Sequence, residues 1–199
     1  MQYGVRELVY IGIFGAIWGA VEASLGSVLH ALNVPFSGLV LAGGGIAIAL
    51  TGRVLVPRRG AVALIGLVTA FVKMLSVGSL ILNPMIGIVM ESLLAEAVVT
   101  LAPSARLTFL AAGAAATGWT LAHPFVVGGF LGGQGFVSVL TATIRAGARF
   151  VGADPSAALL VLGLLLVLHL GVGAVCGVIG WDAGHAVRNR LRFPAGETP

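Results

Sequence analysis

From Pro155 to Trp181 the chain reads PSAALLVLGLLLVLHLGVGAVCGVIGW, without an Asp, Glu, Lys or Arg. A helix needs about 20 apolar residues to cross the hydrocarbon of a bilayer. Inside lipid, a segment must satisfy its own backbone N–H and C=O groups, which a helix does alone and a strand does only in a closed barrel. The apolar residues here are continuous, whereas a barrel strand would alternate. The run therefore predicts a membrane-crossing helix, and comparable runs, separated by Pro, Gly and Arg clusters, fill most of the sequence.

Composition agrees. Of 199 residues, 58% are hydrophobic and 9% charged, against roughly 25% charged in soluble proteins, and the mean hydropathy is +1.08. The expectation is a single all-α domain over residues 1–199, an integral membrane bundle of six transmembrane helices near 6–30, 35–52, 61–79, 84–101, 107–130 and 156–182. Residues 131–155 are expected as an extracellular loop or interfacial helix, because the part QGFVSVLTATIRAGARF is more polar and carries Arg145 and Arg149.

Orientation follows from the basic residues, since short cytoplasmic loops retain Lys and Arg. Six crossings put both termini on one side, with Arg6, Arg53, Arg58, Arg59, Arg106, Arg188, Arg190 and Arg192; only Arg145 and Arg149 fall on the other. Both termini are thus expected in the cytoplasm, and the net charge of +4 reflects topology, with no nucleic-acid partner implied. Cys176, the only cysteine, has no internal disulfide partner. No cleaved signal peptide is expected, because the first apolar run is long and contains Glu22.

The segment NPMIGIVMESLLAEAVVTL, 83–101, nevertheless holds Glu91 and Glu96. At about 1.5 Å per residue, Glu91 lies about 10 Å below the outer end of its span, Lys73 about 9 Å, Glu22 about 12 Å and His123 about 10 Å below theirs. Four ionisable side chains from four helices share one level, and each facing lipid would cost at least about 2.5 kcal/mol. They should face inward. A Lys73–Glu91 ion pair that only fixes packing is one reading. A cavity receiving a polar ligand accounts for more, because one Lys does not neutralise both Glu22 and Glu91 or give His123 a role. Trp119, one turn from His123, is placed to stack on a flat ligand or to serve as a core residue. Glu96 lies about 18 Å down and points about 140° away from Glu91, toward another helix. Asn83-Pro84 suits a turn at the pocket mouth. His169 near mid-membrane reads as a histidine bonded to a neighbouring carbonyl, and Trp181, Asp182 and His185 as a surface anchor or partner contact.

In the first span, Gly12, Gly15, Ala16, Gly19, Ala20, Ala23 and Ser24 recur at three and four, leaving one face with little bulk. Such a face permits close helix approach, either to a neighbouring span or to an external helix.

Taken together these features resemble the substrate-binding S component of energy-coupling-factor (ECF) transporters, the vitamin-uptake systems of prokaryotes. The resemblance covers nearly the whole chain: its length, six spans, cytoplasmic termini, a long connection between spans five and six, and an alanine-x-x-x-alanine motif, here Ala16-Ile17-Trp18-Gly19-Ala20. It implies residence in the prokaryotic cell membrane and docking through Gly12, Ala16, Gly19 and Ala20 onto a transmembrane coupling subunit joined to two ATPases. It also implies capture of a small vitamin-like solute from outside, followed by toppling of the whole protein to open the pocket inward; the candidate ligand-binding residues, Glu22, Lys73, Glu91, Trp119 and His123, come from depth and helix facing and not from the resemblance. No cofactor is expected. Metal-specific relatives open with a Met-His segment, whereas this chain begins Met1-Gln2-Tyr3, so no metal site is expected.

The chain lacks the G-x-x-x-x-G-K-[ST] loop that cradles ATP phosphates, so energy would come from partners. A stand-alone proton-coupled carrier is the alternative, with Glu22, Glu91 and His123 as a relay, but no inverted repeat supports it. Enzymatic function is not expected, since the G-x-S-x-G and H-E-x-x-H patterns are absent and the four histidines are scattered. A purely structural subunit is the remaining class.

Overall fold

The structure, a computed structural model, describes residues 3–75 and 82–192. Seven α-helices follow in order: α1 Val5–Ala31, α2 Ser37–Leu55, α3 Ala61–Met74, α4 Leu82–Leu101, α5 Arg106–Pro124, α6 Phe136–Val151 and α7 Ala158–Arg192, with a π-helical segment, Phe125–Leu131, continuing α5. No strand occurs among the described residues. Among the described residues, five helices, α1, α2, α4, α5 with its π extension, and α7, are long and apolar enough to cross a membrane. The chain is a multi-pass membrane protein on that ground.

Two departures from the sequence expectation concern length. The described part of α3 has 14 residues, and residues 76–79 of the expected 61–79 span lie outside the described residues. At the other extreme α7 has 35 residues, continuing well past the expected boundary at 182. Its last turns, AGHAVRNRLR, contain strong helix formers and neither Pro nor a terminating Gly. The segment between spans five and six holds the 16-residue α6, which ends at Gly152 in the left-handed conformation (φ 69°), the usual helix C-terminal device.

Neighbour contacts close a ring in the order α1, α3, α4, α5, α7 and α2, while α2 also reaches α3, α4 and α5 across the middle, and α6 lies on α7 and the π segment. α2 serves as the central helix because its wall-facing residues are small: Gly43, Gly45, Ala49 and Gly52 are buried. Gly45 makes room for the fully buried Trp18 indole, whose Nε1 would stand 1.9 Å from a Cβ at that position. Such close packing replaces the hydrophobic drive that lipid does not provide.

One end of the bundle is tied by polar contacts. Arg58 pairs with Glu7, the Tyr3 hydroxyl donates to the Arg59 carbonyl at 2.6 Å, and Arg106 bonds Asp182 at 2.7 Å. Partial burial, and then the nearby Glu96 carboxylate, push the Tyr3 phenol above its ordinary range, so it remains a protonated donor. Glu96 itself accepts the Gly60 N–H at 2.6 Å and the Val62 N–H at 2.8 Å. α3 is preceded by Gly60, with φ 89° and no side-chain cap of its own, so Glu96 of α4 supplies the acceptor that a helix N-terminus needs. The start of α1, the α2–α3 and α4–α5 connections and the end of α7 therefore share this end.

Candidate functional site

At the opposite end a cavity of about 340 Å³ opens between α1, α2, α3, α4, α5 and α7. On α1, Gly15, Trp18, Gly19, Glu22 and Gly26 lie along one buried face, so helix packing turns Glu22 inward; it is 5% exposed. The last turn of α3 brings Lys73, whose Nζ donates to the Glu22 carbonyl at 3.0 Å. Along α4, Asn83, Gly87 and Glu91 recur every fourth residue, and all three line the cavity. Such spacing keeps them on one helix face.

Gly87 shapes the wall locally. A Cβ there would lie 3.6 Å from Glu91 Oε1 and 3.7 Å from His123 Nε2, so both side chains gather over the bare backbone. Oε2 of Glu91 is buried without a hydrogen-bond partner among the described residues, in a residue 6% exposed. An unsatisfied buried acceptor costs about 1–3 kcal/mol, a cost that a ligand N–H on this wall would offset.

α5 contributes Thr120, His123 and Pro124. Pro124 lacks the N–H that would bond the Thr120 carbonyl in a regular helix, and from Phe125 the chain widens into the π segment, a distortion frequent at functional sites. His123 Nε2 lies 3.1 Å from the Asn83 carbonyl. A carbonyl only accepts, so Nε2 carries the proton and Nδ1 is left as an acceptor. His169 of α7 likewise places Nδ1 2.7 Å from the Leu165 carbonyl, which leaves its Nε2 as acceptor. Phe36, held at φ 54° before α2, meets the His169 ring edge-on at 5.8 Å and adds an aromatic surface.

Glu22, Lys73, Glu91 and His123, singled out by membrane depth, thus line one cavity. Trp119 does not; its indole backs the His123 ring edge-on, with centroids 6.0 Å apart. Sequence reasoning missed the lining roles of Phe36, Thr120 and His169. His169 makes the expected carbonyl bond and lines the cavity as well. Asn83-Pro84 sits at the cavity within the first turn of α4. Among the described residues, no three His, Cys, Asp or Glu side chains come together as a metal site.

The smooth stripe of α1 divides into two. Gly15 and Gly19 are buried against α3, where a Cβ on either would stand 2.6 Å from Val68 or Val72. Gly12 is half-buried, whereas Ala16 and Ala20 are exposed on the outer face.

The wall chemistry suits a compact polar solute. Two carboxyl groups and two imidazole nitrogens accept, the Lys73 ammonium donates, and the Phe36 ring offers an apolar face. The volume lies at the lower end of the range of small-molecule sites, about 300–1,000 Å³. Comparison with protein-family models, curated proteins and solved structures returned no match.

Proposed function

We propose that this chain is the substrate-capture subunit of an ATP-driven importer of the energy-coupling-factor type, residing in the prokaryotic cell membrane. The observation that carries the proposal is the convergence of Glu22, Lys73, Glu91 and His123 from four helices on one cavity, with a buried Glu91 oxygen left for a ligand. Intramembrane ionisable groups are costly and concentrate where they serve a pathway or site. The solute would be a small metabolite with N–H donors and a flat ring, such as a vitamin or precursor.

In this reading α3 is a sixth, short span and the arginine-rich end faces the cytoplasm by the positive-inside rule. The cavity then opens toward the outside. Ala16 and Ala20 form the surface that meets the coupling subunit, while Gly15 and Gly19 serve packing within the chain. Reconstitution tests the proposal: uptake into vesicles requires the coupling subunit, both ATPases and ATP. Concentrative uptake by the purified chain alone, driven by a proton gradient, would instead establish the stand-alone carrier.

A further inference from the structure

A second cavity, of about 350 Å³, lies at the arginine-rich end and plays no part in the solute site. Its walls are Arg6, Glu7 and Tyr10 of α1, Val54 and Leu55 of α2, Pro57, and Arg188 and Leu191 of α7. We propose that it holds the phosphate group of an anionic phospholipid.

Charge and hydrogen-bond bookkeeping favour an anion. Arg188 buries its Nε without a hydrogen-bond partner among the described residues. Arg6 donates from Nε and Nη2 to the Tyr10 hydroxyl at 3.3 and 3.1 Å, and its guanidinium sits 5.5 Å from the Tyr10 ring centre, so Tyr10 positions it. Tyr10 accepts in those bonds and keeps its own O–H to donate. The one acid on the wall, Glu7, is committed to Arg58 and to the Gly4 N–H at 2.8 Å. The Arg188 guanidinium, the Nη1 side of Arg6 and the Tyr10 O–H therefore remain for the occupant, and paired guanidinium N–H groups match phosphate oxygens.

Position favours a lipid over a soluble phosphate. The cavity lies at the first turns of α1 and the last turns of α7, where apolar helix gives way to arginine. Val54, Leu55, Pro57 and Leu191 make its remaining walls apolar, and Val5, Leu8 and Val9 on α1 and Val187 on α7 are exposed nearby in sequence, a surface fit for acyl chains. Basic pockets between membrane helices bind lipid headgroups in this way.

The test uses the full chain in non-ionic detergent, equilibrated with equimolar phosphatidylglycerol and phosphatidylcholine and read by native mass spectrometry. Phosphatidylglycerol should be retained about five-fold or more over phosphatidylcholine. Arg6→Gln and Arg188→Gln should each abolish most of the preference, with Arg188→Lys, which keeps the charge but not the fork, retaining part of it and the distant Arg149→Gln all of it. Arg6 is exposed, so its substitution reports on binding even if Arg188→Gln impairs folding. Millimolar inorganic phosphate should leave the lipid bound. Equal retention of the two lipids, a preference that survives Arg6→Gln, or displacement by inorganic phosphate would overturn the proposal.

Discussion

Gly173→Ala, a single added methyl, should separate the helices on which the solute cavity depends. α5 and α7 cross with their backbones nearly touching: a Cβ at Gly173 would stand 2.0 Å from Thr117 Oγ1 and 2.3 Å from the Gly113 carbonyl oxygen. The reciprocal positions are equally tight, at 2.0 Å from a Gly113 Cβ to the Gly173 oxygen and 2.1 Å from a Gly177 Cβ to the Phe109 oxygen. Ordinary contact begins near 3.4 Å, and backbone atoms do not swing aside, so the helices must part by more than an ångström. That movement strains the 2.7 Å bond from the Thr117 hydroxyl to the His169 carbonyl. Overpacking and the lost hydrogen bond together come to about 2–4 kcal/mol of destabilisation. Gly171→Ala is the control, because no described atom outside its own helix lies within 4 Å of a Cβ there; it should be neutral or gain up to about 1 kcal/mol of helix propensity. Reversible unfolding by SDS from mixed micelles measures both. A Gly173→Ala protein as stable as the wild type would refute the close crossing and the reasoning from it.

Glu96→Ala should destabilise by about 1–3 kcal/mol, because the Gly60 and Val62 N–H groups at the start of α3 lose their acceptor, as read by thermal unfolding; unchanged stability would remove Glu96 as the cap. Ala16→Leu/Ala20→Leu should fold and bind solute normally yet lose assembly with the coupling subunit, measured by co-purification; a normal yield of complex would sink the docking surface. With Cys176 replaced by Ser, Ser104→Cys in the α4–α5 connection should be labelled by impermeant maleimide only from the cytoplasmic side, and Ser156→Cys only from outside. The reverse pattern would invert the orientation.

Much of the site was legible because lipid punishes charge. Depth along a helix follows from residue number alone, and burial is enforced for any ionisable group at that depth, so Glu22, Lys73, Glu91 and His123 could be grouped without knowing the fold. Rotation about the helix axis is less visible. Trp119 shares a face with His123, but the adjacent Thr120 rather than Trp119 reaches the cavity. Phe36 was hidden for a related reason, since an aromatic ring pays no clear penalty for facing either way, and His169 because its position near mid-membrane set it apart from the level shared by the other four. The α1 stripe shows the same gap: Gly and Ala are equally small, and only the partner helix decides that Gly15 and Gly19 meet α3 while Ala16 and Ala20 stay outside. Glu96 could be separated from Glu91 by its angle, yet its three-dimensional partners, the N–H groups of Gly60 and Val62, belong to a turn whose return onto α4 no local pattern encodes.

That Glu91 faces a bound solute is tested most directly by comparing wild-type protein with Glu91→Gln. Mass spectrometry of gently purified wild-type protein should identify a small co-purifying metabolite, and titration with that compound should show affinity falling about ten-fold or more in Glu91→Gln, as expected when an amide NH2 can take the place of the oxygen that meets the ligand N–H, with thermal stability in its absence unchanged or raised. Equal affinity in the two folded proteins would contradict the account.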